Sequence, residues 1–88
     1  MSHAVTWTAP ATRALQALPE KVATAAVEFI YGSLADNPQR VGKPLRFELE
    51  GLHSARRGDY RVIYEIDHQE ESVTIIAIQN RADVYRGR

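Results

Sequence analysis

The stretch Arg56-Arg57-Gly58-Asp59-Tyr60-Arg61-Val62-Ile63-Tyr64 decides how this chain is read. It predicts a β-hairpin in which Gly58-Asp59 forms a two-residue loop, glycine supplying the positive φ that primed turns require. That register pairs Arg57 with Tyr60 and Arg56 with Arg61. Arg56 and Arg61 then stand opposite each other on one face of the sheet, where like charges are destabilising. A guanidinium presents a planar fork of donors matched to phosphate, so the pair predicts a face that holds something anionic. The alternative is two solvated arginines fanning apart beside Asp59 and Glu65.

Outward from the hairpin, the predicted strands are Leu52 to Arg57, Tyr60 to Ile66, and Ser72 to Asn80, the last two joined by a polar turn over Asp67 to Glu71. Val73, Ile75, Ile76, Ala77 and Ile78 make a near-continuous apolar run, the pattern of a central strand covered on both sides. Toward the N-terminus, Val5 and Trp7 alternate with threonines as a short opening strand. Thr8 is placed to cap a helix that begins at Ala9-Pro10, carries Leu15 and Leu18, and ends near Leu18-Pro19. A second helix starts at Pro19 with Glu20 in its first turn. Its stripe is Ala23, Ala26, Val27, Ile30 and Leu34, with Val22 and Phe29 at the edge, and Asn37-Pro38 stops it. Between Arg40 and Gly51, Gly42 and Pro44 predict an extended loop, while Leu45, Phe47 and Leu49 alternate as a short strand does. The expected class is α+β. The order is strand, helix, helix and three strands, giving a mostly antiparallel four-stranded sheet with an α-hairpin packed on one face. Residues 1–88 read as a single domain without repeats, low-complexity tracts or linkers.

Composition narrows the functions open to such a domain. The 88 residues are 44% hydrophobic and 25% charged, with no cysteine, which removes disulfides, thiol nucleophiles and thiolate metal sites. No apolar run approaches a membrane span, and no signal-peptide pattern opens the chain. Formal net charge is zero, so a uniformly basic nucleic-acid binder is not expected. The distribution is uneven, however. Arg40, Lys43, Arg46, Arg56, Arg57 and Arg61 oppose only Glu48, Glu50 and Asp59, and the next ten residues hold Glu65, Asp67, Glu70 and Glu71 with no Lys or Arg. One basic face and an acidic edge are expected.

Strand alternation assigns several side chains. Tyr60 and Tyr64 share a face with Val62 and Ile66 and belong to the core, as does Trp7. Arg57 points to the opposite face from Arg56, toward solvent or the helices. His53 lies opposite Arg56, His68 in the polar turn and His3 in the terminal segment. None has ligand spacing to a second histidine or carboxylate, so no metal site is expected. No phosphate loop or nucleotide fingerprint is present.

The order of elements and two motifs resemble the RelE/ParE superfamily of toxins from type II toxin–antitoxin pairs. The motifs are Gly51-Leu52-His53-Ser54-Ala55-Arg56-Arg57-Gly58-Asp59-Tyr60-Arg61-Val62-Ile63-Tyr64 and Ile78-Gln79-Asn80-Arg81-Ala82-Asp83-Val84-Tyr85-Arg86. Gly42-Lys43-Pro44-Leu45 matches actinobacterial RelE-type members, and the likeness covers essentially the whole chain. The resemblance implies a cytoplasmic, ribosome-dependent messenger-RNA endonuclease that needs no cofactor. In that chemistry a ribose 2′-hydroxyl attacks the adjacent phosphate. A cyclic phosphate or 3′-phosphate and a free 5′-hydroxyl remain.

Carried over by position, Arg61 and Arg81 stabilise the phosphate in its transition state and Arg81 assists the leaving group. Tyr85 stacks on a base. Arg56 grips phosphate, with Lys43, Arg46 and Ser54 as further RNA-binding candidates. The implied partners are a RelB-like antitoxin, the small ribosomal subunit and message, with operator DNA reached only through the antitoxin and no membrane. One departure stands out. Well-studied RelE members carry two lysines where this chain has Leu52 and Ser54. Lys43, Arg46, Glu48 and Glu50 are the candidates to replace them, and spacing selects none. Two other readings stay open: a ParE-like inhibitor of DNA gyrase, and an antitoxin-binding module with weak activity.

Overall fold

The computed structural model describes all residues except Met1, 47–50 and 81–88. Strand β1 (Ala4–Trp7) leads into helices α1 (Ala9–Ala17) and α2 (Glu20–Phe29), the latter continuing as a wider π turn over Ile30–Leu34. A short helix α3 (Pro38–Val41) precedes β2 (Lys43–Pro44), and β3 (Leu52–Arg57), β4 (Tyr60–Asp67) and β5 (Ser72–Asn80) follow. The class is the expected α+β. Among the described residues the sheet has five strands, not four, in the order β1-β5-β4-β3-β2. The extra member is β2, an edge strand of two residues within the predicted loop. All neighbours are antiparallel except β1, which runs parallel to β5 at the other edge.

The hairpin folds in the expected register, Arg57 opposite Tyr60 and Arg56 opposite Arg61. Gly58 takes φ +56° while Asp59 keeps a negative φ, the pattern of a type II′ turn with glycine first. Along β4 the alternation is strict: Tyr60, Val62 and Tyr64 are buried, whereas Arg61, Ile63 and Glu65 face away. On β5 the alternation breaks once. Ile63 pairs with Ala77 and Tyr64 with Ile75, so Ile76 is the extra residue of a β-bulge. The carbonyls of Ile75 and Ile76 both accept from the Thr8 hydroxyl, at 3.0 and 3.1 Å. The same oxygen accepts from Ala11 N–H at 3.2 Å, capping α1 as predicted. Thr8 therefore ties the helix start to the bulge.

The core is one layer between the helices and the Tyr60–Val62–Tyr64 side of the sheet, joined by Ala26, Phe29, Ile30, Leu34, Val73, Ile75 and Ile78. Phe29 is not at the stripe's edge but buried, because the hairpin end of β3 lies over it. Ala23 and Val27, expected within the stripe, are only half-buried. Trp7 is half-buried too, packed on the core while its indole N–H donates to the exposed Tyr31 hydroxyl at 2.8 Å. Asn37 breaks the second helix as expected, but Pro38 at once opens α3, so Arg40 is helical and not in an extended loop. The Leu45–Phe47–Leu49 alternation lies largely outside the described residues; Leu45 follows β2 and donates its N–H to Leu52 O at 2.8 Å.

Tyr64 organises this corner. Its side chain is fully buried, its hydroxyl donates to Pro38 O, and burial pushes its pKa up to about 12. Gly42 packs against it without any need for left-handed backbone, since its φ is an extended −130°. The need is for space. A Cβ there would strike the Tyr64 hydroxyl and sit 2.8 Å from Ser54 O.

A candidate anion-binding face on the sheet

Because the helices cover the Tyr60–Val62–Tyr64 side, the register dictates what the other side displays. Two cross-strand rows run over it. One is Lys43, Ser54, Ile63 and Ala77; the next is Arg56, Arg61 and Gln79. Rows on one face are two residues apart, about 7 Å, and neighbouring strands are about 5 Å apart. Three cations from β2, β3 and β4 thus share one patch, with Glu65 on the same side of β4 but farther along the strand.

Arg61 is held differently from the other two. Arg56 and Lys43 are exposed, whereas Arg61 is half-buried, and its Nε is a buried donor without a hydrogen-bond partner. An unmet buried donor costs about 1–3 kcal/mol, more when charged. A ligand oxygen is the natural complement.

Arg57, one residue from Arg56, serves the opposite side. Its guanidinium lies 4.6 Å above the Phe29 ring centre, a cation–π contact. It borders a groove of about 480 Å³ with Ala25, Glu28, Phe29, Ser33, Gly58 and Tyr60. That groove is on the helix side and shares no residue with the Arg56–Arg61 row. Burial raises the Tyr60 phenol pKa there, partly offset by Arg57.

His53 sits on the core side, its ring stacked on Tyr64 at 5.6 Å, with Nδ1 buried and unpartnered. Burial, and secondarily the charge of His68, lowers its pKa from 6.5. His68 remains in the polar turn, near Gln39. Among the described residues no group of His, Cys, Asp and Glu could hold a metal ion.

The sequence-predicted residues thus divide. Arg61, Arg56, Ser54 and Lys43 come together on one face. Arg46 is exposed just past β2, and no strand pairing sets its direction. Arg81, Tyr85, Glu48 and Glu50 lie outside the described residues. Gln79 was not singled out from the sequence, yet it completes the arginine row. Simple alternation across Ser72 to Asn80 hides it, because the Ile76 bulge resets the phase.

Comparison with known proteins agrees with this architecture. The family described as ParE toxin of type II toxin-antitoxin system, parDE, matches residues 5–85. Toxin RelE of Mycobacterium tuberculosis is 62% identical over 79 residues, 90% of this chain and 81% of that protein. Toxin RelG of the same organism is 49% identical over 86 residues, 98% of this chain and 99% of that protein. The crystal structure of the RelBE2 toxin–antitoxin complex from M. tuberculosis superposes with a TM-score of 0.90 at 46% identity, covering 92% of this chain and all of that one. The expected α+β fold is that of the solved relative, and the chain belongs to the RelE/ParE superfamily of type II toxin–antitoxin toxins, as a RelE-type member.

Proposed function

We propose that this toxin is a ribosome-dependent messenger-RNA endonuclease restrained by a RelB-like antitoxin. The observation that carries the reading is the Arg56–Arg61 pair, face to face on the side of the sheet that no described helix covers, with the Arg61 Nε–H buried and unmet among the described residues. Two opposed guanidinium groups are stable together when an anion lies between them, and a phosphodiester has the geometry that arginine forks match. The 2′-oxygen attacks phosphorus, its proton leaves to a base, the P–O5′ bond breaks, and the 5′-oxygen takes up a proton. Arg61 stabilises the charge that grows on the non-bridging oxygens. Arg56 holds the phosphate from the facing strand. Arg81, next after Asn80 in the sequence, assists the leaving oxygen, the role that its motif position implies. Tyr85 stacks on a base. Ser54 and Arg46 contact the RNA backbone, and the work takes place on the small ribosomal subunit in the cytoplasm. An acidic antitoxin segment neutralises the same arginines; the solved relative is a toxin–antitoxin complex.

Ribosomes programmed with a short message provide the test. Wild type cuts within the decoding site, and Arg61→Ala and Arg81→Ala each slow single-turnover cleavage by about 10²–10³-fold. Cleavage by both variants at the wild-type rate overturns the site. The matched family is that of ParE toxins, which keeps the ParE-like reading, inhibition of DNA gyrase, as the second one; intact message together with accumulating DNA breaks on induction would establish it instead.

A further inference from the structure

Strand β2 is two residues long, yet it is fastened more firmly than so short an edge element needs. Ahead of it, the Tyr64 hydroxyl holds Pro38 O and Gly42 lies flat against Tyr64 and the Ser54 carbonyl. Behind it, Leu45 N–H donates to Leu52 O at 2.8 Å. Within it, Pro44 confines the preceding residue to extended backbone. The residue thus confined is Lys43, opposite Ser54 on the Arg56–Arg61 face.

The lattice of the sheet sets the distances. From Lys43 the Arg56 backbone is one strand and one row away, about 8 Å, and the Arg61 backbone two strands and one row away, about 12 Å. Long side chains from such sites reach a common point above Ser54 and Ile63. Ser54 is short and Ile63 is apolar, so the two residues between the cations bring no opposing charge. Repulsion among three cations is relieved by an anion larger than one phosphate oxygen pair, such as two successive phosphates of a chain.

We infer that Lys43 is a substrate-contacting cation of this site, delivered from β2, and that it grips the phosphate next to the scissile one. The inference rests on the endonuclease reading. It selects one group from the candidates that sequence spacing left level, and it gives Gly42 a purpose: to let β2 lie close enough for Lys43 to share the face.

A lysine on an edge strand also discourages strand addition, a task glutamate performs equally well. Ribosome-programmed single-turnover cleavage with wild type, Lys43→Ala, Lys43→Arg, Lys43→Glu and the double variant Lys43→Ala/Ser54→Lys separates the two. Lys43→Ala is expected to slow cleavage at least about tenfold with an unchanged unfolding midpoint. Lys43→Glu is slower still, Lys43→Arg keeps most activity, and a lysine at position 54 recovers much of the loss. Lys21→Ala on α2 serves as the remote control and cuts normally. If Lys43→Ala or Lys43→Glu cuts like wild type while Arg61→Ala does not, this inference fails and the endonuclease reading stands. A double variant as slow as Lys43→Ala also overturns the placement. If wild type itself leaves message intact, both fall.

Discussion

The two faces of β4 are built from the same hairpin and obey different rules. On one, Tyr60, Val62 and Tyr64 meet the helices and are sealed from water. On the other, Arg61, Ile63 and Glu65 stand where no described helix packs. On the core face most described polar groups are met within the chain: Tyr64 finds Pro38 and Arg57 finds the Phe29 ring, while His53 Nδ1 stays buried without a partner. The open face gathers like charges and leaves an Arg61 donor unmet. Stability is made on one side and given up on the other, as expected where a surface is shaped for a ligand absent from the free protein.

Substitutions can break or sharpen that contrast. The largest stability effect belongs to the core face. Ile75→Ala removes a fully buried side chain beside the bulge and is expected to cost about 2–5 kcal/mol. Thermal unfolding should show a midpoint lowered by roughly 4–8 °C per kcal/mol in a domain this small. A shift no larger than that of an exposed site would mean the core is not where it is drawn.

Next is Tyr64→Phe, which strands the Pro38 carbonyl in a buried corner and should cost about 1–3 kcal/mol. Message cleavage per folded molecule should also fall, since α3 and β2 lose their fastening. Denaturant titration beside a cleavage assay checks both parts.

Smaller, and opposite in meaning, is the pair Arg57→Ala and Arg61→Ala. The first loses a cation–π contact, about 0.5–1 kcal/mol, and leaves cleavage unchanged. The second removes a like-charge pair across β3 and β4, so stability should hold or rise by a few tenths of a kcal/mol while activity collapses. Equal effects on cleavage from the two arginines would erase the distinction between the faces.

The smallest effect concerns pH. His53 is held neutral by burial, its folded pKa lying below the ordinary 6.5. The unfolded chain therefore binds a proton that the fold refuses. Stability is complete above about pH 6.5 and declines as pH falls from there toward the lowered folded value. Unfolding midpoints between pH 7.5 and 5 should be flatter for His53→Phe than for wild type, and an unchanged slope would remove His53 from this role.

Much of this architecture was legible in residue patterns. The Gly58-Asp59 turn set the hairpin register because glycine alone enters positive φ freely there. Thr8 and Pro19 marked helix starts, because the chemistry of caps is local. Tyr60, Val62 and Tyr64 announced their burial by alternation. What escaped the sequence came from contacts between segments distant along the chain. Phe29 reads as marginal on its own helix and is buried because the far end of β3 covers it. The bulge at Ile76 depends on Thr8, some seventy positions earlier, to satisfy its carbonyls, and it alone brings Gln79 into line with Arg61.

The sequence by itself determined that guanidinium groups would oppose each other across a tight turn, because a two-residue loop leaves only one register. It could not determine which further cation would join them. That depended on a two-residue edge strand whose position is set by Gly42 fitting beneath Tyr64, and a fit between surfaces exists only once the chain has folded.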